Sequence, residues 1–277
     1  MTAPLRRVAV RAPDPACPEA AYREAGWTRA PDPSVAERQH RALVEVMVRA
    51  GVEVEPLAPA GDLADACFTY DPVLVTGRGA VVLRQAKPAR TREPDLLAAE
   101  LEALGVPVVG RLTGEARADG GDLYWLDEHT LAAGRGYRTN QEAHRQLGAL
   151  LAEEDVRLVG FDMPHDRGPA ECLHLMSVVS AVADDLAVVY EPLAPVPLLE
   201  ALDARGVRRV PVSPEEYDAL GSNLLALSPG HVVVLDGAPR LVDELTGLGV
   251  RVDVVEGSEF LPGTGGPTCL TRPLERG

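Results

Sequence analysis

Leu96-Leu97-Ala98-Ala99-Glu100-Leu101-Glu102-Ala103-Leu104 runs into Gly105-Val106-Pro107-Val108. The first nine residues are helix formers with apolar positions three and four apart. The glycine ends such a helix in the left-handed conformation, and the β-branched residues after it open a strand. The same phrase returns at Leu43–Ala50 before Gly51-Val52, and at Leu147–Glu154 before Asp155-Val156. It returns again at Leu198–Arg205 before Gly206-Val207 and at Leu241–Leu248 before Gly249-Val250. The five junctions are spaced by 54, 50, 51 and 43 residues. A period near 50 points to a repeat architecture before any other fold class. Short apolar runs between the junctions, such as Val73–Val75, Ala80–Leu83, Leu186–Tyr190 and Val232–Leu235, supply further strands. Each unit is then three strands and a helix. Five units closed into a ring leave few free sheet edges and enclose a central cavity. An ordinary α/β sheet with coincidental spacing is the plainer alternative; five copies over nearly the whole chain disfavour it. No linker or low-complexity stretch interrupts the 277 residues, so residues 1–277 are expected to form one domain.

Composition narrows the function. The net charge of −15 disfavours nucleic acid and anionic membranes as partners and suits a cationic ligand. No apolar run approaches the roughly 18 residues of a membrane span, and no apolar signal core follows Met1. The four cysteines, Cys17, Cys67, Cys172 and Cys269, are scattered without a CxxC pair. That spacing fits a reduced, cytoplasmic protein and matches no zinc-ligand pattern. The sequence leaves room for a homo-oligomer.

The chemistry-bearing residues fall at one phase of the repeat. Asp65 and Asp119 each lie 14 residues past a junction, Asn223 lies 17 past, His174 19 past and Cys269 20 past. In a ring, equivalent positions lie at one level around the axis, so these five converge although no single repeat supplies a site. Taken singly, each has a bland alternative. Cys269 follows the glycine run Gly263-Thr264-Gly265-Gly266 and fits a small buried residue as well as a nucleophile. His174, in Cys172-Leu173-His174-Leu175, fits a satisfied core histidine as well as a general acid/base. Asp119-Gly120-Gly121-Asp122 fits a polar turn. Arg138, just before a helix capped at Thr139 or Asn140, fits a surface arginine or a carboxylate clamp. The other histidines, 40, 129, 144, 165 and 231, lie in helix or loop contexts expected at the surface.

Five segments together resemble a known family. They are Asp65 through Asp71-Pro72, Asp119-Gly120-Gly121-Asp122, Arg138-Thr139-Asn140, His174-Leu175, and Gly265-Gly266-Pro267-Thr268-Cys269-Leu270-Thr271. In this order and spacing the chain resembles the guanidino-group-modifying enzymes of the pentein superfamily, above all dimethylarginine dimethylaminohydrolase. Arginine deiminase and the amidinotransferases are related branches. The resemblance implies a five-bladed α/β propeller with a central active site and no metal or organic cofactor. It implies Cys269 as nucleophile, His174 as general acid/base and Asp119 as the carboxylate that steers the histidine. It implies Asp71 against the substrate guanidinium, Asp65 against its α-amine, and Arg90 with Arg138 as the clamp on its α-carboxylate, with Arg84 and Arg92 as competitors of Arg90. Tyr70 departs from the pattern, standing where bacterial dimethylargininases usually carry a second acidic residue. The implied substrate is a small guanidino compound, foremost a methylated arginine. Arginine deimination, dihydrolysis or amidino transfer is the alternative, and a non-catalytic binding protein of the same fold a remote one. By position, Ala25-Gly26-Trp27-Thr28 is expected to form a lid.

Overall fold

The computed structural model describes residues 1–277. It contains five three-stranded sheets, each built in the same way. The first combines β1 (Leu5–Val10) with β2 (Glu53–Pro56), and α1 (Glu19–Glu24) and α2 (Pro33–Arg49) lie between them in the chain. The second holds β3 (Val73–Val75), β4 (Ala80–Val82) and β5 (Val108–Arg111), with α3 (Glu93–Ala103) before its last strand. The third holds β6 (Leu123–Asp127), β7 (Thr130–Arg135) and β8 (Arg157–Asp162), with α4 (Gln141–Leu151). The short helix α5 (Leu175–Val178) opens the fourth, which holds β9 (Val179–Ala183), β10 (Leu186–Val189), α6 (Val196–Asp203) and β11 (Arg208–Pro211). The fifth follows α7 (Pro214–Asp218) with β12 (Leu225–Ser228), β13 (His231–Leu235), α8 (Pro239–Gly247) and β14 (Arg251–Val255). The last strand, β15 (Arg272–Arg276), returns to the first sheet.

Within each sheet the middle strand pairs antiparallel with one neighbour and parallel with the other. The antiparallel pair needs only a tight turn; the parallel pair needs a crossover, and the helix supplies it. In the first sheet the antiparallel partner of β1 is β15, so the C-terminus closes the ring that the N-terminus opens. This is the five-bladed α/β propeller.

The repeat has a single local cause. All five junction residues have positive φ: Gly51 at 84°, Gly105 at 84°, Asp155 at 56°, Gly206 at 70° and Gly249 at 82°. The residue after each donates its N–H to the carbonyl five positions back: Val52 to Met47, Val106 to Leu101, Val156 to Leu151, Val207 to Leu202 and Val250 to Leu245, at 2.9–3.1 Å. That bond satisfies a carbonyl left orphaned at the helix end and turns the chain into the next strand. Asp155 fills the position without glycine, as short polar side chains sometimes do in the left-handed region.

The helices pack their apolar faces on the sheets. In the third blade Leu131, Leu147 and Leu151 have no measurable exposure and share one cluster with Leu123 and Ala143. Two histidines expected at the surface join the interior instead. His144 on α4 is buried and faces the Gly134 carbonyl through Nε2 at 3.0 Å. His40 on α2 is also buried, and burial lowers its pKa to about 4. Both sit on the inner face of a helix, where periodicity should have placed them. No helix is long and apolar enough to cross a membrane, and the four cysteines are unpaired.

Candidate active site

The segment between the last strand of one blade and the first strand of the next lies at the ring's centre. Asp65 follows β2, Asp119 follows β5, His174 follows β8, Asn223 follows β11 and Cys269 follows β14. Asp65, His174, Asn223 and Cys269 line one cavity of about 150 Å³, and Asp71, Lys87, Arg90, Arg138 and Cys172 line it as well. Asp119 stands behind His174, fully buried. A larger, open groove between α4 and β8 contains none of these groups.

Cys269 is held from one side. The Asn223 amide donates to its sulfur at 2.9 Å, and the Asn223 carbonyl oxygen accepts the Thr268 N–H at 3.1 Å. The Thr268 hydroxyl is anchored in turn on the Leu224 carbonyl at 2.7 Å. The glycine run permits this approach: a Cβ on Gly266 would stand 2.7 Å from the Asn223 side chain, and one on Gly265 would overlap the Phe68 ring. Burial and the nearby Asp71 carboxylate raise the Cys269 pKa to about 11, which favours the protonated thiol at neutral pH.

His174 is held from two sides. Its Nε2 lies 3.1 Å from an Asp119 oxygen, and the Cys172 sulfur lies 3.6 Å from Nδ1 and 3.9 Å from Nε2. Burial acts to lower the histidine pKa, but Cys172 and Asp119 outweigh it and raise it well above the ordinary value. The Cys172 thiol answers this: burial would raise its pKa, and the His174 charge brings it below the ordinary value. The backbone is fixed too, since the Leu175 N–H donates to Asp122 at 2.9 Å and the His174 N–H to the Ser177 hydroxyl at 3.0 Å. Gly121 lies flat against the imidazole, with no room for a methyl group.

Asp71 also lines the cavity. Asp71 receives the Gly121 N–H at 2.9 Å and Arg90 Nη1 at 2.6 Å. Burial would raise its pKa, but Arg90 and His174 keep it below the ordinary carboxylate value. The site thus places a sulfur, an imidazole and a carboxylate from different blades around one small space. That set can attack an electron-poor carbon, protonate the group that leaves, and hold a cation in place.

The arginine deiminase family model matches residues 60–205 and 194–276, which include every one of these groups. The chain belongs to the arginine deiminase family. It is 29% identical over 268 residues to the N(G),N(G)-dimethylarginine dimethylaminohydrolase of Streptomyces coelicolor, covering 97% of this chain and 96% of that one. It is 25% identical over 241 residues to the protein of the same name from Pseudomonas aeruginosa, covering 87% and 89%. Solved structures agree on the fold. The Pseudomonas aeruginosa enzyme, crystallised with citrulline, superimposes with a TM-score of 0.81 at 20% identity, covering 97% of this chain and 98% of that one. The N-terminal domain of a cyanobacterial arginine dihydrolase superimposes with a TM-score of 0.82 at 19% identity, covering 98% and 97%.

Two roles that the family resemblance implies meet a different geometry. Arg90 lines the cavity but is not free to clamp a carboxylate. Its donors go to Asp71, to Glu93 at 2.9 Å, and to the Phe68 and Asp65 carbonyls at 3.2 and 3.4 Å. It is a brace between two buried acids, and its competitors are exposed, with Arg92 paired to Asp62. Asp65 also has its charge answered within the chain, by the Trp27 indole N–H at 2.6 Å and the Lys87 ammonium at 2.5 Å. Trp27, in the segment expected to form a lid, is buried and stacks on Phe68 at 5.5 Å. Arg138 makes no hydrogen bond and stands 3.8 Å from Asp119, so its fork remains available. Tyr70 packs its ring under the Arg272 guanidinium at 4.1 Å, while Arg272 Nη1 donates to the Tyr70 carbonyl at 3.0 Å. The aromatic ring thus serves an internal cation.

Sequence reasoning gave Asn223 only a place in the repeat, and gave Cys172 and Lys87 no role. The two-residue step from Cys172 to His174 was the available signal for the first. Nothing in the local pattern marks Lys87, whose partners come from elsewhere in the chain.

Proposed function

We propose that this chain hydrolyses the guanidino group of a small arginine derivative through a covalent intermediate on Cys269. The observation that carries the reading is the pairing of Asp119 with His174 beside a cavity that Cys269 also lines. A guanidinium carbon is a weak electrophile because its charge is spread over three nitrogens. Asp71 supplies the counter-charge that fixes the plane of the cation against the sulfur. Binding the cation also reverses the electrostatics around Cys269: it offsets Asp71, and the thiol releases its proton to solvent.

The thiolate then forms a C–S bond to the guanidinium carbon. His174 in its protonated form, which Cys172 and Asp119 favour, gives its proton to the departing nitrogen as the C–N bond breaks. An S-alkylthiouronium remains on Cys269. His174, now neutral, takes a proton from water as the water oxygen attacks the same carbon. The C–S bond breaks, the thiolate leaves, and the ureido product sheds its remaining hydroxyl proton to solvent and departs. The leaving nitrogen is ammonia or a methylamine according to the substrate, and with arginine or a methylated arginine the ureido product is citrulline. Asp119 keeps the ring oriented through both steps. No step calls on a metal or organic cofactor.

The test is release of ureido product from a panel of guanidino compounds by the wild-type chain, with Cys269→Ser alongside. The reading requires turnover of at least one compound and its loss in the variant; undiminished turnover in the variant removes Cys269 as the nucleophile. Adding an acceptor amine separates hydrolysis from amidino transfer, since transfer accelerates with acceptor and yields a new guanidine.

A further inference from the structure

We propose that the preferred substrate is an ω-guanidino carboxylate without an α-ammonium group, and that Lys87 selects it. The proposal rests on the hydrolase reading above and concerns the far end of the ligand, away from the reacting carbon. Asp65 is 3% exposed, and both its oxygens are engaged. Oδ1 accepts the Trp27 indole N–H at 2.6 Å, and that indole is fixed by its stack on Phe68 and an edge contact with Tyr22. Oδ2 accepts the Lys87 ammonium at 2.5 Å. A resident ammonium therefore occupies the place a ligand's ammonium would take against Asp65. A second one brought to the same carboxylate would lie beside Lys87 and be repelled by it in this poorly solvated pocket.

The balance differs at Asp71. Asp71 lines the cavity with no ammonium beside it: its partners are the Gly121 N–H and Arg90, whose guanidinium it shares with Glu93. Two cations lining the cavity keep donors to spare. Lys87 uses one N–H on Asp65, and Arg138 makes no hydrogen bond. Each can donate to a ligand carboxylate. The remaining lining carboxylates, Asp166, Glu171 and Asp218, belong to exposed residues where solvent screens them, and Asp218 already pairs with Arg167 at 3.3 Å. The cavity thus offers Asp71 to a cation, Lys87 and Arg138 to an anion, and no buried carboxylate free for an amine.

The experiment measures binding apart from chemistry. Full-length Cys269→Ser protein is titrated calorimetrically with 5-guanidinopentanoate, 4-guanidinobutyrate, arginine, Nω,Nω-dimethylarginine and agmatine, and wild-type turnover of each is followed in parallel. The expected result is at least tenfold tighter binding of 5-guanidinopentanoate than of arginine, carried into turnover mainly through KM. Lys87→Ala in the same background should weaken 5-guanidinopentanoate at least tenfold and narrow or reverse the preference, with Lys87→Arg preserving it; a melting curve confirms that each variant is folded. Equal or tighter binding of arginine or dimethylarginine overturns the proposal, as does an unchanged ratio in Lys87→Ala. Failure of every compound to bind overturns it together with the hydrolase reading. Binding with the expected preference but no ureido product from the wild type would sink the hydrolase reading alone.

Discussion

In the empty site the two cavity thiols should differ in reactivity, and in the order opposite to their proposed catalytic importance. Burial and Asp71 raise Cys269 from an ordinary 9.0 to about 11. At pH 8 that leaves about one thiolate in a thousand, against about one in ten for an unperturbed thiol. The hundredfold difference corresponds to at most about 3 kcal/mol, an upper bound because the residue as a whole is only half-buried. Cys172 is shifted the other way by the imidazolium beside it. Cys17 is raised, chiefly by burial, and Cys67 is raised well above the ordinary value by the same cause. Iodoacetamide added to ligand-free protein should therefore label Cys172 first, as followed by peptide mapping between pH 6 and pH 10. Labelling of Cys269 should climb about tenfold per pH unit through that range without levelling off. His174→Ala removes the charge that supports the Cys172 thiolate, so labelling of Cys172 at pH 7 should fall. The reasoning is refuted if Cys269 is labelled first, with a rate that levels off at or below pH 8.

Three substitutions probe the framework around these groups. Gly121→Ala drives a methyl into the His174 ring, so kcat should drop at least tenfold while the circular dichroism spectrum stays native; unchanged kcat would show that the ring position does not matter. Asn223→Ala removes the amide from the Cys269 sulfur and the acceptor from Thr268, so kcat should fall with little change in KM; a pure KM effect in steady-state kinetics would contradict the positioning role. Leu147→Ala, at a fully buried position of the third blade, should cost about 2–5 kcal/mol in denaturant unfolding, and a loss below 1 kcal/mol would argue that α4 is loosely packed.

Much of the fold is legible because its repeat rests on local chemistry. Helix, left-handed glycine and β-branched strand are read from adjacent residues, and all five junctions take that conformation. Asp155 follows the same geometry without glycine, so spacing rather than residue type revealed it. The convergence of Asp65, Asp119, His174, Asn223 and Cys269 follows from phase alone, since the ring turns equal sequence positions into one spatial level. What was not legible depends on long-range charge compensation. Arg90 looks like a free clamp until Glu93 and Asp71 are found on either side of it. Asp65 looks like an amine site until Lys87, 22 residues later, and Trp27, 38 residues earlier, are found against it. Tyr70 is an oddity in the sequence and a support for Arg272 in space. The buried histidines His40 and His144 were legible in principle: helix periodicity puts both on an inward face, and only their polarity argues for the surface.

The account stands or falls on a covalent bond to one sulfur. Turnover of a guanidino compound stopped by acid within milliseconds, followed by peptide mass analysis, tests it directly. The predicted result is a mass increase on the Cys269 peptide equal to the substrate less its departing amine, absent from Cys269→Ser. Product formation at the wild-type rate with no such adduct, or an adduct carried by Cys172 instead, would contradict it.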